Sequence, residues 1–165
     1  NLAYVADAYR RLLTGATTVI VEQDGDLSRA LVPPGCEHMS IGHGGDVDAA
    51  RCFNEAIARF GRDRDFYVCA DRGVVPTWDI RAYLLKCLDH DLASSARDVI
   101  DLTEEDSARL VSRQPHVGIE YAPRPRRGLC AEGCVVTTDG FQRSGGWQEA
   151  DSLPRVRCAT LGSVV

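Results

Sequence analysis

Apolar residues recur at helical spacing at the start of the chain. Leu2, Val5, Tyr9, Leu12 and Leu13 share one side of a helix that Thr14-Gly15 closes. The β-branched run Thr17-Thr18-Val19-Ile20-Val21 then predicts a short buried strand, which ends in Glu22-Gln23-Asp24-Gly25-Asp26. His38-Met39-Ser40-Ile41 predicts a second strand, followed by Gly42-His43-Gly44-Gly45. From Asp46, as cap, to Phe60 the pattern returns to helical spacing, with Val47, Ala50, Asn54, Ile57 and Phe60 on the inner stripe. Residues 66–70 are the clearest strand, stopping at Asp71-Arg72-Gly73.

Beyond Pro76 the spacing predicts a helix capped by Thr77 and reaching Asp89, with Ile80, Leu84 and Leu88 inward. Residues 99–102 read as a strand, and Thr103-Glu104-Glu105-Asp106 as the capping box of a short helix. In residues 113–127, Arg113, Arg124, Arg126 and Arg127 alternate with Pro115, Pro123 and Pro125, which predicts a loop or lid. A strand over 133–137 precedes Gly145-Gly146-Trp147-Gln148-Glu149-Ala150-Asp151. Helices alternating with strands imply an α/β domain with a largely parallel sheet, whose ligands sit beyond the carboxyl ends of the strands. Three strand ends carry acid or glycine: Asp24 and Asp26, Gly44 and Gly45, and Asp71. They are either a binding rim or ordinary turn residues, since Asp and Gly dominate turns.

Composition narrows the class. The 165 residues suit one domain with a real core, and 44% hydrophobic with 26% charged residues excludes a disordered or fibrous chain. The longest stretch free of charge runs only over residues 12–21, too short to span a bilayer. Asp7, Arg10 and Arg11 interrupt the opening segment in a way no signal peptide tolerates. A net charge of -5 argues against a general nucleic-acid binder. Seven cysteines, an odd number partly embedded in apolar runs, point to a reducing compartment and a cytoplasmic protein.

The order of these motifs over residues 1–151 resembles the core of a GT-A glycosyltransferase of the family 2 type. Val21-Glu22-Gln23-Asp24-Gly25-Asp26 stands where that family has a Val-Asp-Asp-Gly-Ser-like loop. The stretch from His43-Gly44-Gly45 to Ala49-Ala50-Arg51-Cys52-Phe53-Asn54 is similar to its glycine loop and following helix. Asp71, with Pro76 five residues on, stands for its Asp-x-Asp strand end, and Gly145-Gly146-Trp147-Gln148-Glu149 for its acceptor-side motif.

The resemblance implies a Rossmann-like GT-A sandwich for nucleotide-diphospho-sugar transfer, with a mostly parallel central sheet. One domain would cover residues 1–165, without the family's first strand, with 113–127 as an Arg/Pro-rich loop. It implies sugar transfer from a nucleotide-diphosphate donor to a hydroxyl acceptor, with inversion. Asp24 and Asp26, with Gly44, Gly45 and Arg51, would line the nucleotide pocket. Asp71 would face the diphosphate through Mn²⁺ or Mg²⁺, whose preference for oxygen suits a carboxylate bridge. Glu149 or Asp151 would take the acceptor proton as general base.

The sequence departs from the pattern at Asp71-Arg72-Gly73, where the second acidic residue of Asp-x-Asp is absent. Either Asp71 and another group hold the metal, or Arg72 and the arginines of 113–127 neutralise the diphosphate directly, as guanidinium forks do. A non-catalytic nucleotide-sugar module and an interaction protein with an α/β core are the alternatives. Cys130 and Cys134, with Cys158 and His116, have permissive zinc spacing, but no second cysteine pair completes a site. Trp147 reads as a core or pocket-edge residue that could stack on an acceptor sugar. Asp89-His90-Asp91 reads as a solvated helix end, and His38 as a surface or hydrogen-bonding residue.

Overall fold

The structure is a computed structural model that describes residues 2–23, 31–42, 48–70, 80–94, 98–100, 102–112, 123–125, 133–148 and 158–160. Five helices and eight strands lie among them, in a mixed α/β arrangement. Helix α1 (Leu2–Leu12) buries Val5 and Ala6 and leads into β1 (Val19–Gln23), which pairs in parallel with β2 (Glu37–Ile41). Helix α2 (Ala49–Phe60) follows, then β3 (Phe66–Cys69), α3 (Ile80–Lys86) and β4 (Leu92–Ser94). The hairpin-like pair β5 (Asp98–Ile100) and β6 (Pro123–Pro125) flanks α4 (Glu104–Val111) in the sequence. Strand β7 (Cys134–Thr137), helix α5 (Thr138–Ser144) and β8 (Cys158–Thr160) close the described chain.

Strand order in the larger sheet is β3-β7-β4-β8. Strand β7 runs antiparallel to both β3 and β4, and β8 runs parallel to β4. Three strands therefore point one way and β7 points back. The expected largely parallel sheet is, among the described residues, three small sheets: the parallel pair β1-β2, the antiparallel pair β5-β6 and a mixed four-stranded sheet. The physical reason is the route of the chain. Helix α3 carries it from β3 to a parallel β4 with one strand position left between them, and β7 fills that position from the opposite end.

Pleating of the strands assigns their side chains to two layers. Val135 of β7 and Ala93 of β4 join Ile80, Tyr83 and Cys87 of α3, with Tyr9 and Leu13 packed against them. Cys134 and Val136, with Leu92 and Cys69, face the other way onto Ala50 of α2 and Trp147. A third, smaller cluster joins Met39 and Ile41 of β2 to Cys52 of α2, with Val21 and Phe60 alongside. Helix α2 thus packs on the β1-β2 pair and on the four-stranded sheet.

Several local features follow the residue chemistry. Asp48, not Asp46, caps α2, its carboxylate accepting from the Arg51 N–H at 3.0 Å. The expected caps Asp46 and Thr77 lie outside the described residues. Thr103 caps α4 as the capping-box pattern predicts, accepting from the Asp106 N–H at 3.1 Å. The sequence pattern missed α5, because Thr138-Asp139-Gly140-Phe141-Gln142-Arg143-Ser144 has only one large apolar residue. Thr137 ends β7 and at once caps α5, accepting from the Gly140 N–H at 3.0 Å. Asp91 is not at a solvated helix end. It is buried and ion-paired with Arg143, and its carbonyl accepts from the Thr137 N–H at 2.8 Å. Among the described residues no helix is long and apolar enough to cross a membrane.

Leu92 is fully enclosed whereas Leu88, four residues earlier, is 72% exposed. Leu92→Ala should therefore lower unfolding free energy by about 2–5 kcal/mol. Leu88→Ala should stay within about 0.5 kcal/mol of the parent in urea titrations. Equal losses would contradict this layer assignment. Burial pushes the Cys87 thiol from 9.0 up to about 11. The unfolded chain then gives up that proton first, so stability present below pH 9 should drain away as the pH rises toward about 11. Cys87→Ala should flatten that part of a pH series of urea midpoints.

Candidate functional site

The rim residues expected at the strand ends lie outside the described residues, and the chain is described up to the end of β1 just before Asp24. Strand β1 finishes at Gln23, whose Oε1 accepts from the Asp48 N–H at 2.9 Å. That bond ties the end of β1 to the residue capping α2. Arg51, in the first turn of α2, lies one hydrogen bond further along, through Asp48. Its Nε sits 3.6 Å from the Glu55 carboxylate, so the guanidinium is drawn along the helix. Of the sequence-derived site residues, Arg51 is described. Asp24, Asp26, Gly44, Gly45, Asp71, Arg72, Glu149 and Asp151 lie outside the described residues, as do His43, His116 and Cys130.

On the opposite face of β1 the His38 Nε2 meets the Glu22 carboxylate at 2.8 Å, with both side chains about four-fifths buried. Register explains the meeting. Ile20 pairs with His38 and Glu22 with Ser40, so Glu22 lies diagonally next to His38 on one face. His38 is therefore a partner in an internal ion-pair-type contact. The signal was the alternation Glu37-His38-Met39-Ser40-Ile41, which sends Met39 and Ile41 to one face and His38 to the other. The partner depended on strand register.

The best-defined part of the site is the junction of two motifs 93 residues apart. Asn54, on the inner stripe of α2, grips the backbone of Trp147 twice. Its Nδ2 donates to the Trp147 carbonyl at 2.8 Å, and its Oδ1 accepts from the Trp147 N–H at 2.8 Å. Asn54 is thus a polar clamp where the helical pattern alone suggested packing. Each glycine before Trp147 has its own function in the junction. Gly145, at φ 77°, closes α5 in the left-handed region. Gly146, at φ 91°, passes so close that a Cβ there would lie 2.8 Å from Asn54 Oδ1.

Trp147 itself is 3% exposed and packs 6.4 Å, centroid to centroid, from Phe53. It belongs to the core, and its enclosed ring offers no face to an acceptor sugar. Among the described residues, the indole Nε1 and the Tyr9 hydroxyl are buried without a hydrogen-bond partner. Burial, with lesser contributions from Cys134 and Cys69, holds the Tyr9 phenol above its ordinary range. An open cleft of about 570 Å³ borders this junction, between Asn54, Gly61, Tyr67, Phe141 and Gly146. It opens at the starting end of β3, away from the strand end that leads to Asp71. Among the described residues, no group of three or more His, Cys, Asp or Glu side chains is arranged to hold a metal. The metal expectation rests on Asp71, which lies outside the described residues.

No family model and no curated protein sequence matches the chain. In structure the chain is similar to the crystal structure of HddC from Yersinia pseudotuberculosis, with a TM-score of 0.56 at 10% sequence identity. The match covers 96% of this chain and 75% of that one. It is a likeness of fold, spanning nearly the whole chain.

Asn54→Ala removes both bonds to Trp147 and should cost about 1–3 kcal/mol, because two buried backbone groups lose their partners. The loosened junction should also redshift tryptophan emission before global unfolding. Gly146→Ala should be at least as damaging, through strain and the close approach to Asn54. A fully stable Asn54→Ala protein with unchanged emission would show that the junction does not depend on the clamp.

Proposed function

We propose that the chain is a GT-A-type glycosyltransferase domain that moves a sugar from a nucleotide-diphosphate donor to a hydroxyl acceptor, with inversion. The observation that carries the reading is the Asn54 clamp. It fastens the Gly145-Gly146-Trp147 segment to the same helix whose first turn holds Arg51. In this reading the donor-side and acceptor-side stretches would meet on one helix. Two further observations support it. Strand β3, which runs toward Asp71, is held in a sheet with one reversed strand, and β1 is fastened to the cap of α2 just before Asp24 and Asp26. The likeness in fold to HddC is compatible with this reading and adds no activity to it.

In this reading Asp24 and Asp26 hydrogen-bond the nucleoside, and Gly44 and Gly45 let backbone N–H groups approach it. Arg51 lines the nucleotide pocket, and Arg72 supplies positive charge to the diphosphate. Asp71 is the residue that would hold Mn²⁺ or Mg²⁺, which would supply further countercharge to the leaving diphosphate. Glu149 or Asp151 removes the acceptor hydroxyl proton as that oxygen attacks the anomeric carbon and the nucleoside diphosphate departs.

A thermal-shift screen of UDP- and GDP-sugars, with and without Mn²⁺, tests the reading. At least one donor should raise Tm by several degrees, as ligand at about 100 times its Kd stabilises by about 2.7 kcal/mol. Asp24→Ala and Asp71→Ala should each abolish that shift while leaving the ligand-free Tm within about 2 °C of the parent. Unchanged binding in both variants would overturn the assignment.

A further inference from the structure

Two buried cysteines from distant parts of the chain face each other across the larger sheet. Cys69 ends β3 and Cys134 begins β7, and the antiparallel register sets them directly opposite. Both are thiols, 3% and 0% exposed, and both belong to the layer that contains Leu92, Val136 and Trp147. Opposed residues of an antiparallel pair send their side chains to the same face. The other buried thiols are placed differently. Cys87 lies in the layer on the other side of the sheet, its Sγ donating to the Val135 carbonyl at 3.8 Å, and Cys52 lies with Met39 and Ile41.

The alternation of hydrogen bonds along the ladder fixes the spacing of the pair. The Thr138 N–H donates to the Asp65 carbonyl at 3.0 Å, while the Thr137 N–H turns the other way, to the Asp91 carbonyl at 2.8 Å. Asp65 with Thr138 is therefore a hydrogen-bonded pair, and the alternation makes Tyr67 with Val136 and Cys69 with Cys134 hydrogen-bonded pairs too. Such pairs hold their Cα atoms about 5.5 Å apart. Disulfides span Cα separations of about 4.4–6.8 Å, so a bridge fits here without moving either strand. Directly opposed Cβ atoms lie about 4.5–5.5 Å apart, wider than the separation of about 3.8 Å usual in a bridge. The bond would be strained and easily reduced. Among the described residues this pair is also the last rung of the β3–β7 ladder, where local opening costs least and admits a small reagent.

We propose that Cys69 and Cys134 are a dithiol modification site, which a small disulfide converts in the folded protein to a reversible cross-strand bridge. One thiol gives its proton to water, and its thiolate attacks a sulfur of the small disulfide. That step breaks the reagent's S–S bond, leaves a mixed disulfide on the protein and releases one small thiolate, which takes up a proton. The second protein thiolate then attacks the protein sulfur of the mixed disulfide and expels the other small thiol. The protein loses two hydrogens with their electrons, and the small disulfide gains both as two thiols. Excess dithiol runs the exchange backwards. The bridge fastens β3 to β7 two residues before Asp71, and it rests on the register whether or not the transferase reading holds.

The test treats the folded protein with cystamine, blocks the remaining thiols with N-ethylmaleimide, and maps peptides by mass spectrometry without reductant. A peptide pair joined through Cys69 and Cys134 is expected, lighter by about 2 Da than the two reduced peptides together, and dithiothreitol should return both thiols. Bridging should also slow amide exchange at residues 67–69 and 134–136 about tenfold, because the end of the ladder can no longer open. Absence of the bridge while the half-buried Cys36 carries the cystamine half would overturn the proposal. So would a bridge that joins Cys134 to Cys87 or Cys130 instead. A bridge between Cys69 and Cys134 that forms only in urea would overturn it as well, since the native register would then have no part in it.

Discussion

Everything in the larger sheet depends on the burial of β7. Cys134, Val135 and Val136 are each fully enclosed, and they face alternately into the two helical layers. A strand with both faces covered and a neighbour on each edge cannot shift register without moving every side chain to the wrong layer. That constraint holds β3 and β4 in their places. It also delivers Thr137 to the start of α5, and α5 in turn delivers Gly145, Gly146 and Trp147 to α2.

The junction at Trp147 shows how packing and polarity divide the work. The indole contributes apolar area to the core, while the peptide groups on either side of it would be costly to bury unpaired. Asn54 satisfies both with one side chain, whose amide offers a donor and an acceptor at the spacing of a peptide group. Glycine at 146 is what lets the backbone approach closely enough. The same logic operates at Asp91, which pairs with Arg143 through its side chain while its carbonyl receives the Thr137 N–H. A charge that looks like a solvated terminus in sequence becomes the anchor of α5.

Much of the element order was legible without coordinates. The helical stripe over residues 2–13, the β-branched run at 17–21, the strand at 66–70 and the capping box at Thr103 each have a strong local cause, and each is found within a few residues. Strands β4 and β8 were not legible, because three residues carry too little periodicity. Helix α5 hid behind its polar composition. At the site, the sequence singled out Arg51 and the Gly-Gly-Trp segment. It could not show that Asn54 joins them, since nothing local to a helix distinguishes a stripe asparagine that packs from one that clamps. Nor could it pair His38 with Glu22, which requires the register of β1 on β2.

The sequence by itself determined where α1, β1, α2, β3 and α4 form, where α4 is capped, and which acidic and glycine residues follow the strands. Those properties come from spacing, β-branching and capping chemistry, all of which act over a few residues. The tertiary structure alone decided the strand order, the reversed direction of β7, and the burial of Asp91 and Trp147. Each of these joins residues far apart in the chain. Each is settled by which apolar faces can be covered at once and which backbone groups can find partners, and no stretch of residues states that locally.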